Sequence, residues 1–282
     1  MKRRAFVATV GAAAAGMLFK PRRAVAASRL ERIGLELYAV RTAMLADPER
    51  TLAAVRAIGY SDVELLWSQN NFGRTPRQVR DTLDREGLRA PSAHLAPEAI
   101  VGDEWQRGLE TAKLLGHDYL IVPSLPSETD HSLDAWRAWA DRFNAAGAIA
   151  RPAGIWLAFH NEPSHMKPIG NDPKIPYDVF VERLDPSAVR LQLDVGNMLM
   201  GGGDPMRYLA RYADRYWSFH LKDVVADRSH DTELGTGVFD LKRFLASLAA
   251  PAGKPCYVEQ EGPSDELASA RKNFGYVRSL EF

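Results

Sequence analysis

Eight short apolar runs of β type, separated by helical patterns over about 250 residues, constrain this chain more than any other feature. The runs occupy 33–38, 61–66, 88–94, 118–123, 155–160, 189–194, 216–221 and 256–260. Helical patterns fill 48–58, 76–86, 103–115, 132–150, 176–184, 239–249 and 264–279, and Asp204-Pro205 opens one more. Their ends are readable. Asp47-Pro48 and Thr75-Pro76 each put a capping side chain before a proline at the first helical position. Gly59, Gly87 and Gly116 stand where the preceding helices should stop. Such alternation specifies a parallel sheet, and eight repeats at this length fit a single (β/α)8 TIM barrel better than an open doubly wound sheet. No Gly-x-Gly-x-x-Gly follows the first strand, which argues against dinucleotide binding. No break in composition marks a second domain, so 29–282 reads as one unit.

Residues 1–28 read as an export signal rather than as fold. A basic start, "MKRR", leads into an Ala/Gly-rich apolar stretch from Phe6 to Phe19, and "AVAA" at 24–27 offers small residues for a cut after Ala26. Paired Arg3 and Arg4 before Phe6, a weakly hydrophobic middle and basic Lys20, Arg22 and Arg23 resemble a twin-arginine signal. The apolar stretch, about 14 residues, is too short to span a bilayer comfortably. The expected location is therefore periplasmic or secreted, with no stable membrane insertion once the signal is removed.

Removing this segment changes the charge. The whole chain carries 36 basic and 36 acidic residues, but the first 28 residues hold six of the basic ones and none of the acids. A mildly acidic body does not suit nucleic acid, which calls for a basic surface. Cys256 is the only cysteine, so no internal disulfide can form, and its strand setting points to outward core packing rather than nucleophilic chemistry.

In a TIM barrel the polar residues that finish each strand converge at one mouth. The strand ends supply Glu36 and Tyr38, Glu64, His94, His160 and Glu162, Asp194, His220 and Lys222, then Glu259 and Glu261. Any one of these could be a solvated loop residue; the set argues for a site. In "VRLQLDVGN", "YWSFHLKD" and "PCYVEQEGP", placing Asp194, His220 and Glu259 inward sends Leu193, Phe219 and Val258 outward against the helices. Two carboxylates and an imidazole suit Mn²⁺, Mg²⁺, Co²⁺ or Zn²⁺. A buried salt-bridged trio is the plainer alternative.

"IGLELYAVR" at 33–41, "AIGYSDVEL" at 57–65, "LDVGN" at 193–197, "SFHLKDV" at 218–224 and "YVEQEGP" at 257–263 resemble the sugar phosphate isomerase/epimerase superfamily. These are xylose-isomerase-like barrels of the AP endonuclease family 2 type. The similarity runs in order from about residue 32 to 280. The resemblance implies a small-molecule carbohydrate substrate, a divalent metal held at the ends of strands five to eight, and Asp194, His220 and Glu259 as ligands. It also implies proton transfer between adjacent carbons through an enediolate, with one carboxylate on each side, and it leaves room for self-association.

The departure is at strand five. The epimerase branch ends that strand with glutamate, whereas alignment of "LAFHNEPSH" puts His160 there and Glu162 two residues on, with the same strand parity. Periodicity does not choose between them. His160 is favoured as fourth ligand, with Glu162 left for acid/base work beside Glu259. If no second carboxylate reaches the substrate, the enolate could expel a leaving group instead, giving a lyase, dehydratase or hydrolase acting on a keto-sugar or 3-keto-glycoside. A non-catalytic sugar-binding barrel is a third expectation, and an endonuclease IV type of nuclease a poor fourth.

Weaker signals complete the reading. His94 could serve as base, bind substrate hydroxyls or simply pack. Lys222 could hold a sugar oxygen or an enolate, or bridge to Asp223 on the surface. Glu36 could pair with a lysine or arginine. "GGGDP" at 201–205 could hold phosphate, although a flexible turn is the default. An aromatic among Trp67, Trp156 and Trp217 could stack on a sugar, and 223–238 is long and polar enough for a lid.

Overall fold

The computed structural model describes residues 28–248 and 253–282. The expected export signal lies outside the described residues, except for Ser28. Eight parallel strands close into a barrel: β1 (Gly34–Glu36), β2 (Asp62–Leu66), β3 (Arg89–His94), β4 (Tyr119–Val122), β5 (Trp156–His160), β6 (Val189–Asp194), β7 (Tyr216–Leu221) and β10 (Cys256–Val258). Between β7 and β10, a two-stranded antiparallel ribbon of β8 (Asp223–Val224) and β9 (Asp231–Thr232) stands apart from the barrel. Every barrel neighbour is the preceding or following barrel strand in sequence, and β10 closes on β1. The helices are α1 (Arg41–Ala46), α2 (Pro48–Ile58), α3 (Pro76–Glu86), α4 (Glu104–Leu115), α5 (Leu133–Ala150), α6 (Pro176–Arg183), α7 (Val195–Met200), α8 (Pro205–Arg211), α9 (Leu241–Ser247) and α10 (Glu266–Ser279). None of the described helices is long and apolar enough to cross a membrane.

The expected caps are present. Asp47 accepts from the Arg50 amide at 3.0 Å with Pro48 at the first helical position, and Thr75 and Gln78 form a reciprocal capping box. Gly87 and Gly116 end α3 and α4 in the left-handed region that glycine enters without strain. The sequence reading had no 3₁₀ turns after β1 to β5, no short α7 after β6 and no β8–β9 ribbon. Each of these elements is seven residues or shorter, too short a stretch for a periodic signal.

The main apolar core fills the space between the strands and the surrounding helices, as the outward Leu193, Phe219 and Val258 require. A second, small apolar cluster of Tyr119, Ile121 and Ala158, with Trp156 and Trp217 packed on it, lies toward the strand N-termini. Arg151 and Arg190 cover the Trp156 ring at 3.4 and 3.9 Å from its centroid. Trp156 is the first residue of its strand and Trp217 the second, so both belong to the end remote from the mouth, not to a sugar platform. Trp67 packs against His117 with ring centroids 5.5 Å apart, and Cys256 is buried, its thiol pushed up to about 12 by burial.

Candidate active site at the C-terminal mouth of the barrel

Register brings the strand ends level. Glu36 pairs with Glu64, Glu64 with Ser92, His160 with Gln192, and Asp194 with His220. Alternation then turns all of these side chains to the inside. Ligand atoms of Asp194, His220 and Glu259 lie within 4.8 Å of one another, as do those of His94, His160 and His220, and those of Glu36, Glu64 and His94. The expected residues therefore meet in one buried cluster.

His220 sits at its centre. Its Nδ1 is 2.6 Å from Glu259 Oε2 and its Nε2 is 2.6 Å from Glu64 Oε1. Burial alone would lower its pKa; the two carboxylates outweigh this and hold it well above the usual histidine value. Glu259 and Glu64 are in turn held well below the ordinary carboxylate range, against desolvation, by Lys222 and His220 for the first and by His94 and His220 for the second. His94 stacks on His220 with centroids 5.3 Å apart, and its Nε2 lies 3.0 Å from Glu64 Oε1 and 2.9 Å from Gln192 Oε1. His94 is thus a packed member of the interior network.

Lys222 is wholly buried, with Nζ 3.2 Å from Asp194 Oδ2, 3.2 Å from Glu259 Oε1 and 2.6 Å from Glu261 Oε1. It also donates to Asn197 Oδ1 at 3.2 Å. Three carboxylates overcome the cost of burial and raise its pKa well above the usual lysine value. The surface bridge to Asp223 does not form. Instead Asp223 accepts the amides of Val224, Gly235, Gly237 and Phe239, all at 2.9–3.0 Å, and so staples both ends of the expected lid segment. Asp231 on β9 accepts the Glu261 amide at 2.7 Å, which ties the ribbon to the rim.

The "LDVGN" motif builds the wall beside Lys222. Asp194 caps α7 by accepting the Asn197 amide at 2.8 Å. A Cβ on Gly196 would collide with Lys222 Cβ and stand 3.1 Å from its Cδ, so only glycine lets α7 lie against the lysine stem. Asn197 Nδ2 reaches Glu162 Oε2 at 3.1 Å and His160 Nε2 at 3.4 Å.

At strand five both candidates border the cluster. His160 ends β5, fully enclosed, with Nδ1 2.8 Å from Gln192 Oε1 and Nε2 3.8 Å from Asp194 Oδ2. Burial, with His220 and His94 nearby, holds its pKa well below the usual value, so the ring is neutral. Glu162 lies at the rim with its side chain 34% exposed, Oε1 3.9 Å from His160 Nε2. Desolvation pushes its carboxyl up to about 8, with Asp194, Glu259 and Glu261 adding to the shift against Lys222. His165 turns inward, stacks on Phe159 and accepts the Glu162 amide at Nδ1 (3.0 Å). The second histidine of "HNEPSH" therefore fixes the turn that carries Glu162.

Other expectations are corrected. Among the described residues Glu36 pairs with no lysine or arginine: Oε2 accepts the Tyr38 amide at 2.6 Å, and buried Oε1 has no hydrogen-bond partner. Tyr38 instead carries the Arg41 guanidinium over its ring at 4.2 Å. The "GGGDP" segment offers no phosphate cradle, because Asp204 itself accepts the Met206 and Arg207 amides. Gln192, Ser92, Asn161 and Asn197 were missed. Gln192 and Ser92 stand two residues before Asp194 and His94, so parity alone would have put them inside.

The cluster fits a divalent cation. Asp194 Oδ2 is buried and ion-paired with Lys222, yet accepts no hydrogen bond of good geometry. It faces His160 Nε2 and His220 Nδ1 at 3.8 Å each. A buried carboxylate oxygen facing two imidazole nitrogens is a donor set that would hold such an ion.

Comparison with known proteins agrees with this architecture. The chain is 24% identical over 210 residues to an inosose dehydratase of Lacticaseibacillus casei, covering 66% of this chain and 67% of that one. Its structure resembles a sugar phosphate isomerase/epimerase from Parabacteroides distasonis, with a TM-score of 0.75, 23% identity and coverage of 89% and 95%. It also resembles the IOLI protein with a binding zinc atom, with a TM-score of 0.65, 16% identity and coverage of 89% and 99%. The model of the xylose isomerase-like TIM barrel family matches residues 52–280, and the chain belongs to that family.

Proposed function

We propose that this chain is a metal-dependent lyase that removes water from the ketone form of a cyclitol or sugar. The observation that carries this reading is the unequal partnering of two carboxyl groups at the mouth. Glu259 meets the Lys222 ammonium at 3.2 Å and the His220 ring at 2.6 Å, and both contacts favour its ionised form. Glu162 meets a neutral amide, Asn197, and a neutral imidazole, in surroundings that favour its acid form. β-Elimination needs one of each. Glu259 takes the proton beside the carbonyl, the C–H electron pair forms the new C=C bond, and the β C–O bond breaks as Glu162 protonates the departing oxygen. Water and an unsaturated ketone result, and solvent resets the two carboxyl groups.

Asp194, His220 and Glu259 would hold a divalent cation, with His160 as fourth ligand; when bound it supplies Lewis-acid polarisation of the ketone. The inosose dehydratase relative supports the lyase chemistry, and the zinc of the IOLI protein supports the cation. The test is incubation of the purified chain with keto-cyclitols and 3-keto-glycosides in D₂O, followed by NMR and by the ultraviolet absorbance of the unsaturated ketone. Wild type releases water, while Glu162→Gln keeps α-proton exchange and loses elimination. An epimer or isomer formed without loss of water would replace this reading with the isomerase/epimerase one. The strand parity that Glu162 shares with His160, which lets a second carboxylate face the site beside Glu259, and the Parabacteroides likeness favour that alternative.

Export by the twin-arginine route is proposed on the pattern of residues 1–28 alone. Mature protein beginning at Ala27, and retention of an Arg3→Lys/Arg4→Lys variant in the cytoplasm, are the expected results.

A further inference from the structure

Beneath the cluster, Gln192 and Glu64 lie side by side, both wholly buried, with Gln192 Nε2 3.0 and 3.2 Å from the two Glu64 oxygens. An ionised carboxylate only accepts, so the amide must turn its NH₂ toward Glu64 and its Oε1 away. That oxygen then faces His160 Nδ1 at 2.8 Å and His94 Nε2 at 2.9 Å. An amide oxygen cannot donate, so both of those nitrogens carry hydrogen. Glu64 Oε1 imposes the same on His220 Nε2 at 2.6 Å. Ser92 Oγ donates to Glu64 Oε2 at 2.5 Å, and the Tyr257 hydroxyl lies 2.8 Å from Ser92 Oγ, which keeps the carboxylate from turning. That leaves His160 Nε2 facing outward; it and His220 Nδ1, which also meets Glu259 Oε2 at 2.6 Å, both stand 3.8 Å from Asp194 Oδ2.

We propose that Glu64 and Gln192 form one positioning unit that fixes which nitrogen each buried imidazole presents, and that Gln192 is the residue that makes His160 a cation ligand. Without the Gln192 oxygen, His160 is free to place its proton on Nε2. That proton would point at Asp194 Oδ2 and close the gap a cation needs. Orientation of ligand imidazoles by such partners is a general feature of metal centres, where loss of the partner costs about 10–100-fold in affinity. The inference rests on the cation-binding half of the function proposed above and not on the reaction.

The test uses the purified chain labelled with ¹⁵N-histidine, without metal or substrate, so the outcome is independent of what the enzyme turns over. Long-range ¹H–¹⁵N spectra of wild type should show His160 neutral, protonated at Nδ1 and bare at Nε2. Addition of Zn²⁺ should shift His160 Nε2 and His220 Nδ1 while both partner nitrogens keep their protons. Gln192→Met should move the His160 proton toward Nε2 and raise the Zn²⁺ Kd about 10–100-fold in a chelator competition. Wild-type His160 protonated at Nε2, imidazoles that do not respond to Zn²⁺, or a Gln192→Met Kd within twofold of wild type would overturn the proposal. The wild-type spectra decide the tautomer even if the variant fails to fold.

Discussion

Replacing Lys222 with methionine keeps the length of the stem and deletes the ammonium group that three carboxylates share. Glu261 is 42% exposed and solvent screens it, so its loss counts for little. Glu259 keeps its bond to His220 at 2.6 Å. The cost therefore falls on Asp194, whose Oδ2 has Lys222 at 3.2 Å and otherwise only imidazole nitrogens at 3.8 Å. Removing one partner of a buried pair costs about 3–5 kcal/mol. For a domain of this size each kcal/mol lowers Tm by about 2–4 °C, so the fall is roughly 6–20 °C at neutral pH. The deficit should shrink on acidification, because an Asp194 pushed up to about 6 by burial takes a proton instead of standing bare. It should also shrink when Mn²⁺ or Zn²⁺ is added, since the ion supplies the missing positive charge. Differential scanning calorimetry with and without divalent metal reads both effects. A variant melting within about 2 °C of wild type without metal would refute the claim that Lys222 holds the carboxylates together.

Three further outcomes follow from particular contacts. Gly196→Ala drives a methyl into the Lys222 stem, at about 1–3 kcal/mol in denaturant unfolding; an unchanged midpoint would mean that α7 shifts freely. His117 and His165 are buried, and burial lowers their folded pKa values to about 4 and about 3, below the unfolded value near 6.5. The unfolded chain then binds more protons as pH falls from about 6.5 toward those values, so stability drops by up to about 1.4 kcal/mol per pH unit for each histidine, and is unaffected by them above that window. His117→Gln should flatten the decline in a urea series from neutral to acidic pH; an identical slope would remove His117 from the account. Asp223→Ala removes the common acceptor of four amides, and their hydrogen exchange should quicken by at least tenfold, given about 1.5–3 kcal/mol per hydrogen bond to a charged group. Unchanged exchange at Gly235, Gly237 and Phe239 would show that the segment is held by something else.

The barrel was legible because its signals are local and repeated. All eight apolar runs became strands with ends shifted by two residues at most, and Asp47-Pro48 and Thr75-Pro76 cap helices as their chemistry requires. The convergence of Glu36, Glu64, His94, His160, Asp194, His220 and Glu259 followed from parity and from the rule that strand ends meet. Depth and partner choice were not legible. Lys222 lies one residue from Asp223 and 39 from Glu261, yet pairs with the distant carboxylate because strand direction, not sequence distance, decides what it meets. Gln192 reads as an ordinary polar residue inside a strand until Glu64, 128 positions away, forces its amide to face one way. The choice between His160 and Glu162 was undecidable from alternation, since both carry the same parity; their different burial comes from the turn that His165 holds.

The Asp223 staple separates frame from tip. One carboxylate gathers the amides at both ends of the 223–239 segment, while Asp227 and Ser229 close the turn at its far end by a bond to each other. Lengthening or recoding 226–230 would leave the four anchoring bonds and the Asp231–Glu261 contact in place. The barrel thus carries a replaceable tip beside a fixed candidate site. Descendants of such a chain could explore new substrate rims one turn at a time without retuning the charges beneath.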